Sequence, residues 1–271
     1  MLTFVCGFLS AIIFGVLGYW LFGTPAWVSA FTVFGFLAAS VPINLIIRKR
    51  LEAIFKDVQG MIEKNQETLR RKMTQMQNKQ MSSTKGLQKQ MEKKQAAVIR
   101  DALEELNRAE PLKKWNVMAE KQMNTLRGQL NYQIKDFDEA DQYLAHSLNL
   151  DPITVAMKMA RAYRHDDMEE VERLYKKGKK RFKKGEQNVI IYALYSWILV
   201  QQERTDDAIL VLEEAKDKTE NPVLKANWEH LVNGRVRQFS NAGLGDQWYA
   251  LHLEKPKPVR MKQRRGRKQR R

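Results

Sequence analysis

The chain has 271 residues, a formal net charge of +16 and a single cysteine. That length allows one or two domains, and one cysteine excludes an intrachain disulfide framework. The charge is uneven: residues 48–114 carry +8, residues 115–222 carry −2, residues 223–254 are balanced, and the last seventeen hold ten basic side chains and no acid.

The first 47 residues contain no Asp, Glu, Lys or Arg. Two apolar stretches, 2–23 and 27–47, each have about the 20 residues that cross a hydrocarbon core of ~30 Å. "GTPAW" lies between them, and its Gly and Pro predict a turn flanked by Trp20 and Trp27, rings suited to the membrane interface. Gly7, Ala11 and Gly15, then Gly35 and Ala39, recur at four-residue spacing and give each helix a small-residue face for close packing. Pro42 predicts a kink near the end of the second helix. A cleaved signal peptide fits poorly, because no basic n-region is present and the apolar length is too great. Cys6 lies inside the first span. "RKR" at Arg48–Arg50 follows the second span, so that end is expected on the cytoplasmic side. Two crossings return the N-terminus to the same side. The expectation is a cell (inner) membrane protein with two spans and both termini cytoplasmic.

Residues 48–110 read as a basic amphipathic, coiled-coil-like helical stalk. Leu51, Phe55, Val58, Ile62, Asn65, Leu69 and Met76 follow heptad-like gaps, although Lys72 takes a core position. The pattern breaks at "MSSTKG" and resumes loosely through Leu87, Met91, Val98 and Leu106 until Pro111, which is expected to end the helix. The seam allows a homodimer through the stalk. A solvated helix, or one lying on anionic lipid, fits the same residues.

A repeat follows. With Ala140, Val171 and Ala208 as anchors, the units are spaced 31 and 37 residues apart. Four residues after each anchor stand Leu144, Tyr175 and Leu212, and seven after stand Ser147, Gly178 and Ala215. Three before stand Phe137, Met168 and Thr205, and twelve before stand Gly128, Met159 and Ser196. Pro152 and Pro222 close the first and third units, each fit to open the next helix. This helix–turn–helix unit resembles the tetratricopeptide repeat. The first unit departs from the family pattern at Asn131 and Ser147, the second is short and lacks the proline, and the third has an extended link. The resemblance covers about residues 115–222. It implies an all-α chain whose repeat domain, 111–254, is an α-solenoid with terminal caps. It further implies a groove for a protein or peptide partner, with matching positions at Gln129, Tyr132, Arg161, Arg164, Trp197 and Gln201. "VLKANWEHLVNGRVRQF" reads as one more first-type helix with Trp228 and Leu231 on its apolar face, and "LGDQWYALHLE" as a closing helix with Trp248 and Tyr249 as packing residues.

No catalytic constellation is visible. His146, His165, His230 and His252 have no neighbours at metal-ligand spacing, and no glycine-rich phosphate loop occurs. No cofactor or metal is expected, and the chain is not read as an enzyme. "HDDMEE" (His165–Glu170) fits a solvated turn before a helix, whose N-terminus favours acids. "KKGKKRFKK" (Lys176–Lys184) reads as a solvated face partly neutralised by nearby acids.

The tail, 255–271, lacks apolar periodicity and is expected to be disordered. Its basic side chains, Arg264, Arg265, Arg267, Lys268, Arg270 and Arg271 among them, suit a polyanion such as RNA or anionic lipid. The expected role is a membrane scaffold that presents its repeats to a protein partner. The alternative is a membrane tether for RNA, a ribosome or another polyanion through the tail.

Overall fold

The computed structural model describes residues 2–78, 84–182 and 185–256. Among them every regular element is a helix. The polypeptide divides into two compact units, residues 1–148 and 149–271. That boundary falls within the 111–254 segment read from sequence as one domain, so the first helix pair belongs with the apolar hairpin's unit.

The first unit begins with α1 (Leu2–Phe22) and α2 (Pro25–Asn78). Both are long and apolar enough to cross a membrane. Gly23, at a φ of 64°, makes the reversal between them, a conformation glycine adopts without a Cβ clash. Thr3, Gly7, Ala11, Gly15 and Gly18 form one buried stripe on α1. A Cβ added to Gly35 would stand 2.6 Å from the Phe14 Cβ and 2.8 Å from the Ser10 carbonyl oxygen. The small residues are thus what allow the two backbones to approach. The outward faces are bare and apolar: Phe8, Ile12, Val16, Val33 and Phe34 are each about three-fifths exposed. Trp20 and Trp27 stand exposed on either side of the turn.

α2 continues without a break past Pro42 and past the end of its apolar stretch. α3 (Thr84–Leu106) then returns along it. The two amphipathic helices therefore pack on each other within one chain. Ile47, Leu51, Ile54 and Val58 are buried against Ile99, Ala102 and Leu106. This seam shares Leu51 and Val58 with the predicted one, but Ile54 is buried in preference to Phe55. Pro111 does not end α3. That helix stops at Leu106, and a 3-10 segment, Asn107–Lys114, carries Pro111 within it. Ala109 and Leu112 of this segment complete the same core with Ala119, Met123 and Leu130 of α4 (Val117–Gln133).

The return is fixed by polar contacts at the base of the hairpin. The Thr3 hydroxyl donates to the Trp115 carbonyl at 2.8 Å. Asn116 Nδ2 donates to Asn44 Oδ1 at 2.8 Å while its own Oδ1 accepts from the Met118 N–H, capping α4. α5 (Phe137–Ala145) packs on α4. A Cβ on Gly128 would meet Leu144 at 2.8 Å, so glycine is required where these helices cross.

The second unit holds α6 (Pro152–Arg164), α7 (Met168–Arg181), α8 (Val189–Gln201), α9 (Thr205–Lys218) and α10 (Pro222–Val232). Pro152 and Pro222 open α6 and α10, with Asp151 and Asn221 as the capping residues before them. α6 pairs with α7 and α8 with α9, while α8 also contacts α6, α7 and α10. Its strongly apolar sequence follows from this position: eleven consecutive residues, Val189 to Leu199, are buried. The expected closing helix over Leu244–Glu254 is instead a 3-10 turn, Ala242–Leu244, followed by a single helical turn, α11 (Asp246–Tyr249). Gly245 separates them at a φ of 61°, which interrupts helical geometry.

Candidate functional site

The aligned sequence positions fall at equivalent places in three helix pairs. Phe137, Met168 and Thr205 are the first residues of α5, α7 and α9. The anchors Ala140, Val171 and Ala208 have no exposed surface, and Leu144, Tyr175 and Leu212 beside them are buried. Gly178 is closely approached: a Cβ there would meet Ile191 at 2.9 Å and Val155 at 3.2 Å.

The turns inside the pairs share one hydrogen-bonding plan. Lys135, Asp166 and Glu203 adopt left-handed φ values of 65°, 57° and 60°. In each case the next residue's N–H reaches back five residues: Asp136 to Asn131, Asp167 to Ala162, and Arg204 to Leu199, at 2.9–3.0 Å. The helix end after α10 repeats the arrangement, with Gly234 at 68° and the Arg235 N–H on the His230 carbonyl at 2.8 Å. These bonds satisfy carbonyls that a helix C-terminus leaves unpaired. A second recurrence stands before the first-type helices, at Asn116, Asp151, Asn188 and Asn221. The side chains of Asn116, Asp151 and Asn221 accept from the backbone N–H groups that follow; the Asn188 amide donates to the Phe182 carbonyl instead. This Asx repeat is a signal the sequence carries at the starts of the first-type helices, outside the pattern centred on the second helices.

The six predicted groove residues differ in what they offer. In the first unit, Gln129 is half-buried. Tyr132 is only 1% exposed and packs edge-to-face on Phe137 at 5.3 Å, which makes it a core residue. In the second unit, Arg161 is half-buried with its guanidinium 3.2 Å from the His165 ring, and Arg164 is exposed and reaches the His252 carbonyl at 3.5 Å. Gln201 is exposed at the end of α8. Trp197 is buried, between Tyr163 at 5.5 Å and Trp248 at 5.8 Å.

The segment after α10 explains the burial of Trp197. The indole N–H groups of Trp197 and Trp248 donate to the two oxygens of the Glu254 carboxylate, at 2.8 and 2.7 Å. Asn241, wholly buried, donates to the Ala193 carbonyl at 2.9 Å and accepts from Asn227 at 2.8 Å. Residues 240–254 therefore cover part of the first-type face of the second unit. Trp248 is a packing residue, fully buried.

Electrostatics follow the helix pairs. Asp167 caps α7 by accepting from the Glu170 N–H at 2.9 Å, which accounts for part of "HDDMEE". On the same helix Lys176 pairs with Glu172 at 2.9 Å, whereas Lys179 reaches Glu214 of α9 at 2.7 Å. The neutralising acids thus include one from the next pair. Burial pushes the Glu214 carboxyl up, but hydrogen bonds from Lys179 and Lys218 outweigh it and hold it below its ordinary value. Burial raises the Tyr175 and Tyr192 phenols well above theirs. Burial lowers the Lys158 ammonium to about 8. In the first unit, the buried Arg127 pairs with Glu110 at 2.5 Å and with the Asn107 side chain at 2.8 Å.

Among the described residues no three His, Cys, Asp or Glu side chains gather into a group that could hold a metal ion. The polyanion candidates Arg264, Arg265, Arg267, Lys268, Arg270 and Arg271 lie outside the described residues, as do Lys183 and Lys184. No family model, curated protein or solved structure matches the chain.

Proposed function

We propose that this protein is a membrane-anchored adaptor, held in a cell membrane by α1 and α2, that offers tetratricopeptide-like helix pairs to a protein partner on the cytoplasmic side. The observation that carries the reading is the shared turn in the three helix pairs, repeated after α10. A chain that builds one unit several times gains a surface that varies by side chain alone. The anchor is supported by α1: 21 residues rise about 32 Å, the thickness of a hydrocarbon core. A core helix of a water-soluble domain would bury that surface, yet here its outward face is bare. Arg48–Arg50 at the end of the apolar stretch support a cytoplasmic orientation of the base. The exposed Arg164 and Gln201 are the predicted groove positions best suited to meet a partner. Anchoring raises the effective concentration of a partner already near the bilayer.

The ten basic residues of 255–271 favour a second reading, a tether for RNA or another polyanion. Crosslinking in intact cells, followed by detergent purification with and without nuclease, separates the two. A defined protein set that survives nuclease and is lost on Arg164→Glu with Gln201→Glu supports the adaptor. A nucleoprotein set that vanishes with nuclease and with removal of residues 255–271 replaces it with the tether.

A further inference from the structure

Within the first unit, α2 and the start of α4 enclose a cleft of about 650 Å³. Its lining changes character along α2. Val41 and Leu45 lie at one end and are about half exposed. Arg48 and Glu52 follow further along α2, joined by a 2.7 Å ion pair, with Leu51 between them and Phe55 beyond. Asn116 and the half-exposed Met118 form the facing wall. The apolar end is continuous with the bare surface of the hairpin, and the charged part begins where the apolar stretch stops. One cleft thus spans the level of acyl chains and the level of headgroups.

We propose that this cleft holds one zwitterionic phospholipid with a primary ammonium headgroup, of the phosphatidylethanolamine class; the proposal rests on the membrane reading above. An acyl chain would lie along Val41, Leu45 and Met118. The order of charges selects the headgroup. Arg48 is nearer the span and Glu52 lies one turn, about 6 Å, further out. A phospholipid presents its phosphate first and its ammonium beyond it in the same direction. The Arg48 guanidinium offers a fork of donors that matches phosphate oxygens. The Glu52 carboxylate accepts hydrogen bonds, which a primary ammonium donates and a quaternary one lacks. The ion pair that joins the two side chains is 76% and 59% exposed. Pairs so open to water contribute little, so a headgroup that satisfies both partners displaces it readily. A wholly anionic lipid would satisfy Arg48 and meet repulsion from Glu52.

The test uses the full chain extracted in mild detergent. It is equilibrated with equal amounts of phosphatidylethanolamine, phosphatidylcholine and phosphatidylglycerol carrying the same acyl chains, and bound lipid is read by native mass spectrometry. One phosphatidylethanolamine per chain, favoured about fivefold over phosphatidylcholine, is expected. Glu52→Gln should bring that ratio to about one and raise phosphatidylglycerol binding, and Arg48→Gln should reduce binding of all three. Both side chains are exposed, so the variants keep the fold. Equal retention of all three lipids, or an unchanged preference in Glu52→Gln, overturns the proposal. Membrane fractionation of the same cells separates the two failures. A chain found in the soluble fraction removes the anchor and the lipid site together, whereas a membrane-bound chain without headgroup preference removes only the lipid site.

Discussion

Thr3 and Trp115 are joined by a hydrogen bond at 2.8 Å although 112 residues separate them. The beginning of the first apolar helix is thereby tied to the elbow that leads into α4. Asn44 and Asn116 make a second tie beside it. Asn116→Ala removes both that bond and the cap on Met118, and should cost about 1–2 kcal/mol. Thr3→Val removes one bond and should cost about 1 kcal/mol. Thermal unfolding in detergent, with proteolysis at Lys113 and Lys114 as a local probe, reads both.

The glycines of the hairpin should not be equivalent. A Cβ at Gly7 meets the ring of Phe36 at 2.8 Å, and a ring can rotate away. A Cβ at Gly35 meets the Ser10 carbonyl oxygen at 2.8 Å, a backbone atom that cannot. Gly35→Ala is therefore expected to loosen the hairpin by about 1–3 kcal/mol and Gly7→Ala by less. Disulfide trapping between cysteines placed across α1 and α2 ranks the two.

Arg127 should be intolerant of substitution. It is 5% exposed and holds Glu110 and Asn107 from the 3-10 segment. Arg127→Met strands these partners and should cost about 3–5 kcal/mol, and Lys should rescue poorly because it cannot reproduce the fork. Burial raises the Glu110 carboxyl, but hydrogen bonds from Lys113 and Arg127 prevail and hold it below its ordinary value. A carboxyl depressed in the folded state adds stability above its unfolded pKa, and this is lost as pH falls through the folded value. The acid limb of an unfolding-midpoint series should flatten in Arg127→Met.

Glu254 serves two indoles at once, so its loss should be felt twice. Glu254→Ala leaves the Trp197 and Trp248 N–H groups without their carboxylate and should cost about 2–3 kcal/mol. Glu254→Gln keeps one acceptor oxygen but turns an amide NH2 toward the other indole. Both variants should shift tryptophan emission and lower the urea midpoint, with alanine lower than glutamine or equal to it. An unchanged midpoint would make the covering segment an incidental contact.

Lys158 should weaken the second unit at neutral pH. Burial lowers its ammonium from the ordinary value of 10.5 to about 8, while its Nζ donates to Asn149 at 2.7 Å. Between those two values the unfolded chain binds more protons, so stability rises with pH across that window and the penalty is complete below about 8. Lys158→Met should stabilise the protein by about 1 kcal/mol at pH 7, allowing for solvent screening. It should also remove this part of the alkaline rise, as seen by following unfolding midpoints of both proteins from pH 7 to about 10.5.

Much of the local structure was readable because it depends on short-range chemistry. The small residues of α1, the start of α6 at Pro152, and the place of Ala140, Val171 and Ala208 in their pairs all follow from spacing. What escaped the sequence depends on which surface meets which. The heptad pattern from Leu51 to Leu69 is equally consistent with a second chain and with the chain's own α3, and periodicity alone does not name the partner. Glycine marks the left-handed turn only at Gly234. At Lys135, Asp166 and Glu203 ordinary residues occupy that conformation, and the turn signal is hidden. Trp197 holds a groove position by its place in the repeat, while its strongly apolar run fits a core residue; its cover comes from Trp248 and Glu254, some fifty residues later.

The unbroken course of α2 has a mechanical consequence. A helix of 54 residues is about 81 Å long and has no joint where its apolar stretch ends. With α1 and α2 in a bilayer, as proposed above, the part beyond Arg48 would act as a lever whose fulcrum lies in the membrane. Tilting the span by about 10° would sweep the far end through roughly 8 Å, as set by the helical rise. Changes in bilayer thickness, which helices accommodate by tilting, would reach the distal end of α2 as a displacement of side-chain size.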